Sequence, residues 1–275
     1  MEQPVGWARP QLPDTGTRGP ERPAQAGRSG IGGHQDEAVL AGRYQILLSW
    51  ADIQAEVDTA WEEQPERLKL PRYNIAPRQS IPVVVADEAG RKLAPMRWGF
   101  PPIWAAKNGK DPFNEPPIIN ARAEEATKKS TWSASLRQRR CLLPATGFYE
   151  WLRRDGELFP ILFAAPDSSM LTFAGIWAPF DWTASARLDW PCAALLTVGP
   201  SPAVAPVHDR MPAVIPKAAR ARWLDPDTRL EDAVALLGPD PSLIPREVHT
   251  SLNRWVTEGP GTQTANWTWT ERPPA

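Results

Sequence analysis

Residues 147–164 read GFYEWLRRDGELFPILFA, and this stretch predicts a β-hairpin. Its two arms, 148–152 and 158–164, are rich in aromatic and branched residues, which favour extended backbone. Between them, Arg154-Asp155-Gly156-Glu157 has the composition of a tight turn. Upstream, 81–85 and 92–100 flank the turn-like 87–90 in the same way. Hairpins of this kind predict antiparallel pairing.

The sequence on either side of these hairpins predicts more strands, with short helices between them. Ser49 is a suitable N-cap for a helix that carries Trp50, Ile53, Val57 and Trp61 at helical spacing. Further strands are predicted at 42–48, 171–177, 193–198 and 211–215, and further helices at 124–139, 216–224 and 230–237. Because no regular βαβ alternation is present, we predict an α+β fold. We expect a single domain with a mainly antiparallel, barrel-like β core and short flanking helices.

Composition narrows the functional classes. The 275 residues are 42% hydrophobic and 23% charged, with a formal net charge of −1. Any affinity for DNA must therefore come from a local group of arginines. Two cysteines and three scattered histidines predict neither a metal site nor a cofactor. No run of apolar residues is long enough to span a membrane, and no signal-peptide core is visible, so we expect a cytoplasmic protein.

Three regions are expected along the chain. Residues 1–38 are rich in proline and glycine and lack a hydrophobic period, which predicts a disordered extension. Whether it is retained, removed or never translated stays open. The folded domain is expected at 39–262. Residues 263–275 are expected to form a flexible tail.

Eight short segments occur in a fixed order along this domain. They are Gly42-Arg43-Tyr44, Arg72-Tyr73-Asn74-Ile75-Ala76-Pro77, Arg97-Trp98-Gly99-Phe100, Ile119-Asn120-Ala121-Arg122-Ala123-Glu124, Arg139-Arg140-Cys141-Leu142-Leu143-Pro144-Ala145, Gly147-Phe148-Tyr149-Glu150-Trp151, Phe173-Ala174-Gly175-Ile176-Trp177 and His208-Asp209-Arg210-Met211-Pro212. Together they closely resemble the abasic-site-processing family, also called the SOS-response-associated peptidase (SRAP) family.

The resemblance implies a single α+β domain with a positively charged groove for single-stranded DNA that contains abasic sites. It also implies a monomer that acts in the DNA-damage (SOS) response, on the nucleoid when bound to DNA. In such proteins an amino-terminal cysteine condenses with the aldehyde of the abasic sugar and forms a thiazolidine.

Specific residues acquire roles from this resemblance. Glu150 matches the catalytic carboxylate, His208 the histidine near the sugar, and Asn120 the residue that orients the terminal amine. The remaining matched positions are implied to contact DNA: Arg43, Arg122, Arg210, Trp98, Asn74 and Pro77. Arginine suits phosphate, and tryptophan suits a nucleobase.

The chain departs from the family pattern at one decisive position. The family begins Met-Cys-Gly-Arg, whereas the aligned run here is Leu40-Ala41-Gly42-Arg43, so Ala41 stands where the catalytic cysteine is expected. An alanine methyl cannot close a thiazolidine, and we expect no stable DNA–protein cross-link.

Three alternatives stay open at this position. In the first, the domain is a binding-only pseudoenzyme. In the second, Ala41 is the true amino terminus, and its amine supports Schiff-base lyase or autopeptidase chemistry. In the third, another residue supplies the thiol. Cys141 is the nearest thiol within the matched segments, but it lies in an apolar run. For the neighbouring Arg137, Arg139 and Arg140, a phosphate track and a solvated helix end both remain open.

Overall fold

Both predicted hairpins are present in the computed structural model, which describes residues 42–59, 63–66, 68–179 and 191–270. The strands are β1 (Arg43–Ile46), β2 (Arg72–Ile75), β3 (Ser80–Asp87), β4 (Gly90–Trp98), β5 (Asn120–Arg122), β6 (Arg140–Ala145), β7 (Gly147–Arg154), β8 (Glu157–Ala164), β9 (Leu171–Ala178), β10 (Cys192–Val198), β11 (Met211–Pro212) and β12 (Ile244–Glu247). The helices are α1 (Trp50–Val57), α2 (Ile103–Lys107), α3 (Ala123–Ala126), α4 (Ser130–Gln138), α5 (Arg220–Leu224) and α6 (Leu230–Val234).

The turn between β7 and β8 shows why the first hairpin forms. Asp155 and Gly156 both adopt positive φ, at 53° and 80°. These left-handed values match the twist of a two-residue hairpin turn, and Asp-Gly is among the sequences that adopt them most readily. The predicted Ser49 cap is also confirmed. The Ser49 side chain accepts a hydrogen bond from the Asp52 backbone N–H, and the Asp52 side chain accepts one from the Ser49 backbone N–H.

One of the two sheets closes on itself. Strands β10, β4, β3, β6 and β9 are paired in that order, and β9 pairs back with β10. The pairing of β4 with β10 is parallel, whereas the other pairings in the ring are antiparallel. The ring confirms the predicted barrel-like, mainly antiparallel α+β core.

The second sheet has the order β12-β8-β7-β1-β2 and packs against the ring through aromatic side chains. Tyr44 on β1 lies with its ring centroid 5.0 Å from Trp98 and 6.1 Å from Phe173. Phe148 on β7 lies 6.0 Å from Phe173. The main core therefore sits between the two sheets.

The structure corrects two predicted elements. The single helix expected at 124–139 is two helices, α3 and α4, because Lys129 between them is extended, with φ −78° and ψ 126°. The tail expected from residue 263 is packed as far as Trp269, since Trp269 is buried in the core and Trp267 donates its indole N–H to the Val248 carbonyl. Trp61 and the predicted extension at 1–38 lie outside the described residues.

Candidate nucleic-acid interface

Glu150 is a buried carboxylate next to the beginning of β1. It lies on β7 and is only 3% exposed. Strands β1 and β7 are antiparallel, with Arg43 opposite Tyr149 and Tyr44 opposite Phe148, so the next pair in this register is Gly42 with Glu150. By strand alternation Glu150 shares the face of Phe148, which belongs to the main core. Position 41 lies outside the described residues.

Arg43 faces the opposite side of the second sheet and is held internally. Its Nη1 donates to Asn74 Oδ1 at 3.0 Å and to the Leu252 carbonyl at 2.9 Å, and its guanidinium lies 5.5 Å from the centre of the Trp151 ring. Burial lowers the pKa of Arg43 below its ordinary value. This arginine links β1 to the C-terminal segment as well as carrying a positive charge.

Asn74 is fully buried on β2, where a DNA strand does not reach it. Its amide nitrogen donates to the carbonyls of Arg254 at 3.2 Å and Thr257 at 2.9 Å. The amide group therefore satisfies both the Arg43 guanidinium and two backbone carbonyls. The direct DNA contact predicted for Asn74 is therefore corrected: Asn74 has a positioning role. Pro77, in contrast, is half-exposed at the turn between β2 and β3.

Asn120 and Arg122 lie on β5, a short strand parallel to β10, with Asn120 opposite Leu195 and Arg122 opposite Thr197. Arg122 has a side chain that is 54% exposed, and its nearest acidic group, on Glu125, is 3.7 Å away. A loose ion pair of this kind leaves the guanidinium able to bind phosphate. Arg122 is the most accessible of the three predicted DNA-binding arginines.

Arg210 is engaged by neighbours rather than by solvent. It forms a two-pronged ion pair with Glu124, in which Nη2 donates to Oε2 at 2.8 Å, and it also donates to the Thr197 carbonyl at 2.5 Å. The hydrogen bond from Arg210 lowers the pKa of Glu124 to about 2. The pair ties the loop before β11 to α3 and β10, so Arg210 has a structural task in the unbound protein.

His208 begins this same loop, and its Nδ1 has two polar neighbours. The Arg210 backbone N–H donates to His208 Nδ1 at 2.9 Å. The Asp209 carboxylate is also 3.1 Å from Nδ1, but a nitrogen that accepts a hydrogen bond through its lone pair cannot donate to that carboxylate. With Nδ1 accepting from the Arg210 N–H, a neutral ring carries its proton on Nε2. His208 can donate from Nε2 to a sugar or phosphate oxygen.

Trp98 does not have the surface position that base stacking requires. It is fully buried, packs edge-on against Tyr44, and lies beside Ala193 in the parallel β4–β10 pairing. The residue after it, Gly99, has φ +105°, and a Cβ there would lie 2.7 Å from Pro117. The predicted stacking role is thus corrected: Trp98 packs β4 against Tyr44 of β1 within the core.

The remaining candidates from the sequence are also located. Cys141 is fully buried on β6, and burial raises the pKa of its thiol well above the ordinary value, which disfavours the nucleophilic thiolate. Arg140 is buried and donates to helix-end carbonyls, so it belongs to no phosphate track. Sequence reasoning missed Trp151 and the C-terminal segment 249–258, because nothing local in the sequence signals that this segment returns to β1.

No group of three or more histidine, cysteine, aspartate or glutamate side chains in the described part of the chain is arranged to hold a metal ion. Within 42–59, 63–66, 68–179 and 191–270, every helix is too short or too polar to cross a membrane.

The structure defines a mixed α+β domain with a ring-like sheet. Residues 40–255 match the model of the SOS response associated peptidase (SRAP) family, so this chain belongs to that family. The chain is 31% identical over 196 residues to the abasic site processing protein YoaM of Bacillus subtilis, a match covering 70% of this chain and 82% of that protein. It is 29% identical over 238 residues to the abasic site processing protein HMCES of Xenopus tropicalis, covering 70% and 65%.

Solved structures show the same fold. A crystal structure of a protein from Bordetella bronchiseptica has a TM-score of 0.62 at 23% identity, covering 76% of this chain and 99% of that one. A protein from Bacteroides thetaiotaomicron has a TM-score of 0.61 at 17% identity, covering 71% and 85%.

Proposed function

We propose that this protein recognises abasic sites in single-stranded DNA during the DNA-damage (SOS) response, without forming a heat-stable thiazolidine link. Membership of the SRAP family and the names of the relatives support abasic-site processing as the general function. The proposal goes further in four respects: the substrate is single-stranded DNA, the protein is a monomer, it is located in the cytoplasm, and it does not form the stable link.

The observation that carries the proposal is the β1–β7 register, in which Arg43 lies opposite Tyr149; continued by one residue, it brings Gly42 to the buried Glu150. A carboxylate at this place is suited to move protons when an amine adds to an aldehyde. On β5 and the loop before β11, Asn120, Arg122 and His208 supply an amide, an accessible guanidinium and an imidazole N–H. These are groups that bind a sugar and its flanking phosphates.

Position 41 determines which chemistry remains. A thiazolidine needs both a sulfur and an amine on the same residue, and Ala41 has no sulfur. If the chain begins at Ala41, its free amine attacks the aldehyde carbon, water leaves, and an imine forms. Loss of the adjacent sugar proton and departure of the 3′ phosphate then cut the strand. If residues precede Ala41, its nitrogen is an amide and the domain binds only.

The mass of the protein purified from its own host separates these cases. A mass that begins at Ala41 indicates an internal start or self-cleavage of the peptidase type and supports the imine route. We expect this form, incubated with an abasic oligonucleotide and sodium borohydride, to give a covalent adduct that depends on the reductant. The full-length chain is the matched control and should give none. An adduct that is heat-stable without reductant would overturn the proposal.

A second variant tests the pocket independently of the missing sulfur. Ala41→Cys, in a chain started at position 41, should form a heat-stable adduct without borohydride. The same chain carrying Glu150→Gln should form it more slowly. If the cysteine chain folds and binds abasic DNA but does not react, Glu150 and its neighbours do not form the pocket that we propose.

A further inference from the structure

An exposed tryptophan lies at the tip of a turn in the C-terminal segment. Trp255 is 60% exposed, and its neighbour Val256 is also exposed. The turn runs from Arg254 to Thr257 and is closed by a hydrogen bond from the Thr257 N–H to the Arg254 carbonyl at 3.0 Å. Trp255 and Val256 occupy its two central positions, where small or polar residues are usual.

The base of this turn is fixed rather than loose. Both of its end carbonyls, on Arg254 and Thr257, accept from the fully buried Asn74 amide. One residue before the turn, Asn253 accepts the indole N–H of Trp151 at 2.7 Å and donates to the Leu158 carbonyl at 2.9 Å. A side chain carried on an anchored turn loses little further conformational entropy when it binds a partner.

Through Asn74 the turn is connected directly to the start of β1. The Oδ1 of Asn74 accepts from Arg43, while its nitrogen holds the turn. Arg254 is exposed beside Trp255, and the nearby Glu258 is occupied by Arg72 and by the Tyr73 N–H. The exposed Arg254 guanidinium thus adjoins Trp255 along the chain, while the nearby Glu258 carboxylate is already paired.

We propose that Trp255 is a stacking platform for an unpaired nucleobase of single-stranded DNA that lies along the start of β1. The inference rests on the proposed function and deepens it, because it identifies the surface that holds the strand beside the abasic site. Exposed aromatic rings interleaved with positive charge are the usual means of binding single strands without sequence preference.

The test compares Trp255→Ala with Trp104→Ala, a matched control because Trp104 is 51% exposed on α2. Binding of fluorescein-labelled oligothymidylate is measured by anisotropy, alongside a strand of the same length built from tetrahydrofuran units without bases. We expect Trp255→Ala to bind oligothymidylate about tenfold more weakly and the baseless strand as the wild type does. Trp255→Phe should retain most of the affinity, and Trp104→Ala should match the wild type.

The outcomes separate this inference from the function on which it rests. If the wild type binds neither strand, the proposed function fails. If the wild type binds oligothymidylate and Trp255→Ala binds it equally well, the stacking platform is wrong although the function stands. If Trp255→Ala instead alters only the molar mass measured by light scattering, the turn is a contact between copies of the chain, which also overturns the inference.

Discussion

Burial gives different roles to tryptophans that the sequence alone does not distinguish. Trp98 lies in a matched segment but is fully enclosed between the two sheets, whereas Trp255 is mostly exposed. The Trp98 indole N–H has no hydrogen-bond partner among the described residues. Its contribution is therefore packing, and substitutions there should alter stability rather than DNA affinity.

We expect Trp98→Ala to lower the free energy of unfolding by about 3–5 kcal/mol, because it leaves a large cavity beside Tyr44. Trp98→Phe should cost clearly less, since it keeps an aromatic ring and removes a buried unpaired donor. Chemical denaturation measures both changes. DNA affinity of folded Trp98→Phe should equal that of the wild type, and a selective loss of affinity would restore the stacking role.

The ion pair between Arg210 and Glu124 makes a pH-dependent contribution. Arg210 holds the pKa of Glu124 at about 2, below the ordinary 4.5. A carboxylate whose folded pKa is depressed stabilises the fold above its unfolded pKa, and that contribution is lost as pH falls towards about 2. Glu124→Gln should lower the free energy of unfolding by about 1 kcal/mol near neutral pH, because solvent screens the largely exposed carboxylate.

Urea denaturation of Glu124→Gln and the wild type across this pH range checks the result. The difference between the two proteins should shrink towards zero as the pH approaches about 2. Glu231→Gln is the control, since Glu231 pairs with Arg229 in full exposure. A difference for Glu124→Gln that stays constant with pH would mean that packing, not charge, is responsible.

At the scale of elements, Arg140 joins two helix ends to the ring. Its Nη1 donates to the Leu136 and Arg137 carbonyls at the end of α4, at 3.0 and 3.1 Å. Its Nε donates to the Trp223 carbonyl in α5 at 2.7 Å. One buried guanidinium thus satisfies carbonyls that both helices leave without partners.

Arg140→Met should lower the free energy of unfolding by about 3 kcal/mol, because several buried carbonyls then lose a charged donor. Arg140→Lys should recover only part of this loss. The planar guanidinium of arginine donates to both helix ends at once, and a single ammonium group cannot. Denaturant titration measures each variant. Arg137→Ala, at an exposed neighbouring position, should change stability little, and equal effects at the two positions would exclude the capping role.

The sequence predicted what local chemistry determines. The Asp155-Gly156 turn and the Ser49 cap depend on a few consecutive residues, and both are confirmed. The barrel-like core followed from the hairpins. The closure of the ring through β9 and β10 and the burial of Trp98 arise from pairing between distant strands, which single-sequence patterns do not report.

The candidate site divides in the same manner. The resemblance identified Glu150, and the structure sets it next to Tyr149, which lies opposite Arg43 of β1. The resemblance did not show that Arg43 and Asn74 hold the C-terminal segment. Those contacts span about two hundred residues of chain, as between Arg43 and Leu252. Long-range contacts of this kind depend on the whole fold rather than on any motif.

For the whole molecule, a formal net charge of −1 means that no general field attracts DNA. Affinity must then come from a few local phosphate contacts, and the dependence of affinity on salt should be shallow. Among the predicted arginines, Arg43 and Arg210 are held by internal partners, whereas Arg122 is mostly exposed. Arg122 should therefore account for a measurable part of the salt dependence.

We expect Arg122→Ala to weaken binding to oligothymidylate and to reduce the slope of log affinity against log salt by about 0.7, the value for one phosphate on a single strand. Arg43→Ala should mainly lower the free energy of unfolding, because Asn74 and the Leu252 carbonyl lose their donor. Arg229→Ala, a highly exposed arginine on a different element, is the control for removing one positive charge. Binding titrations at several salt concentrations give the slopes. Equal slopes for Arg122→Ala and Arg229→Ala would show that the charge at β5 acts only through the overall field, and that no phosphate is bound there.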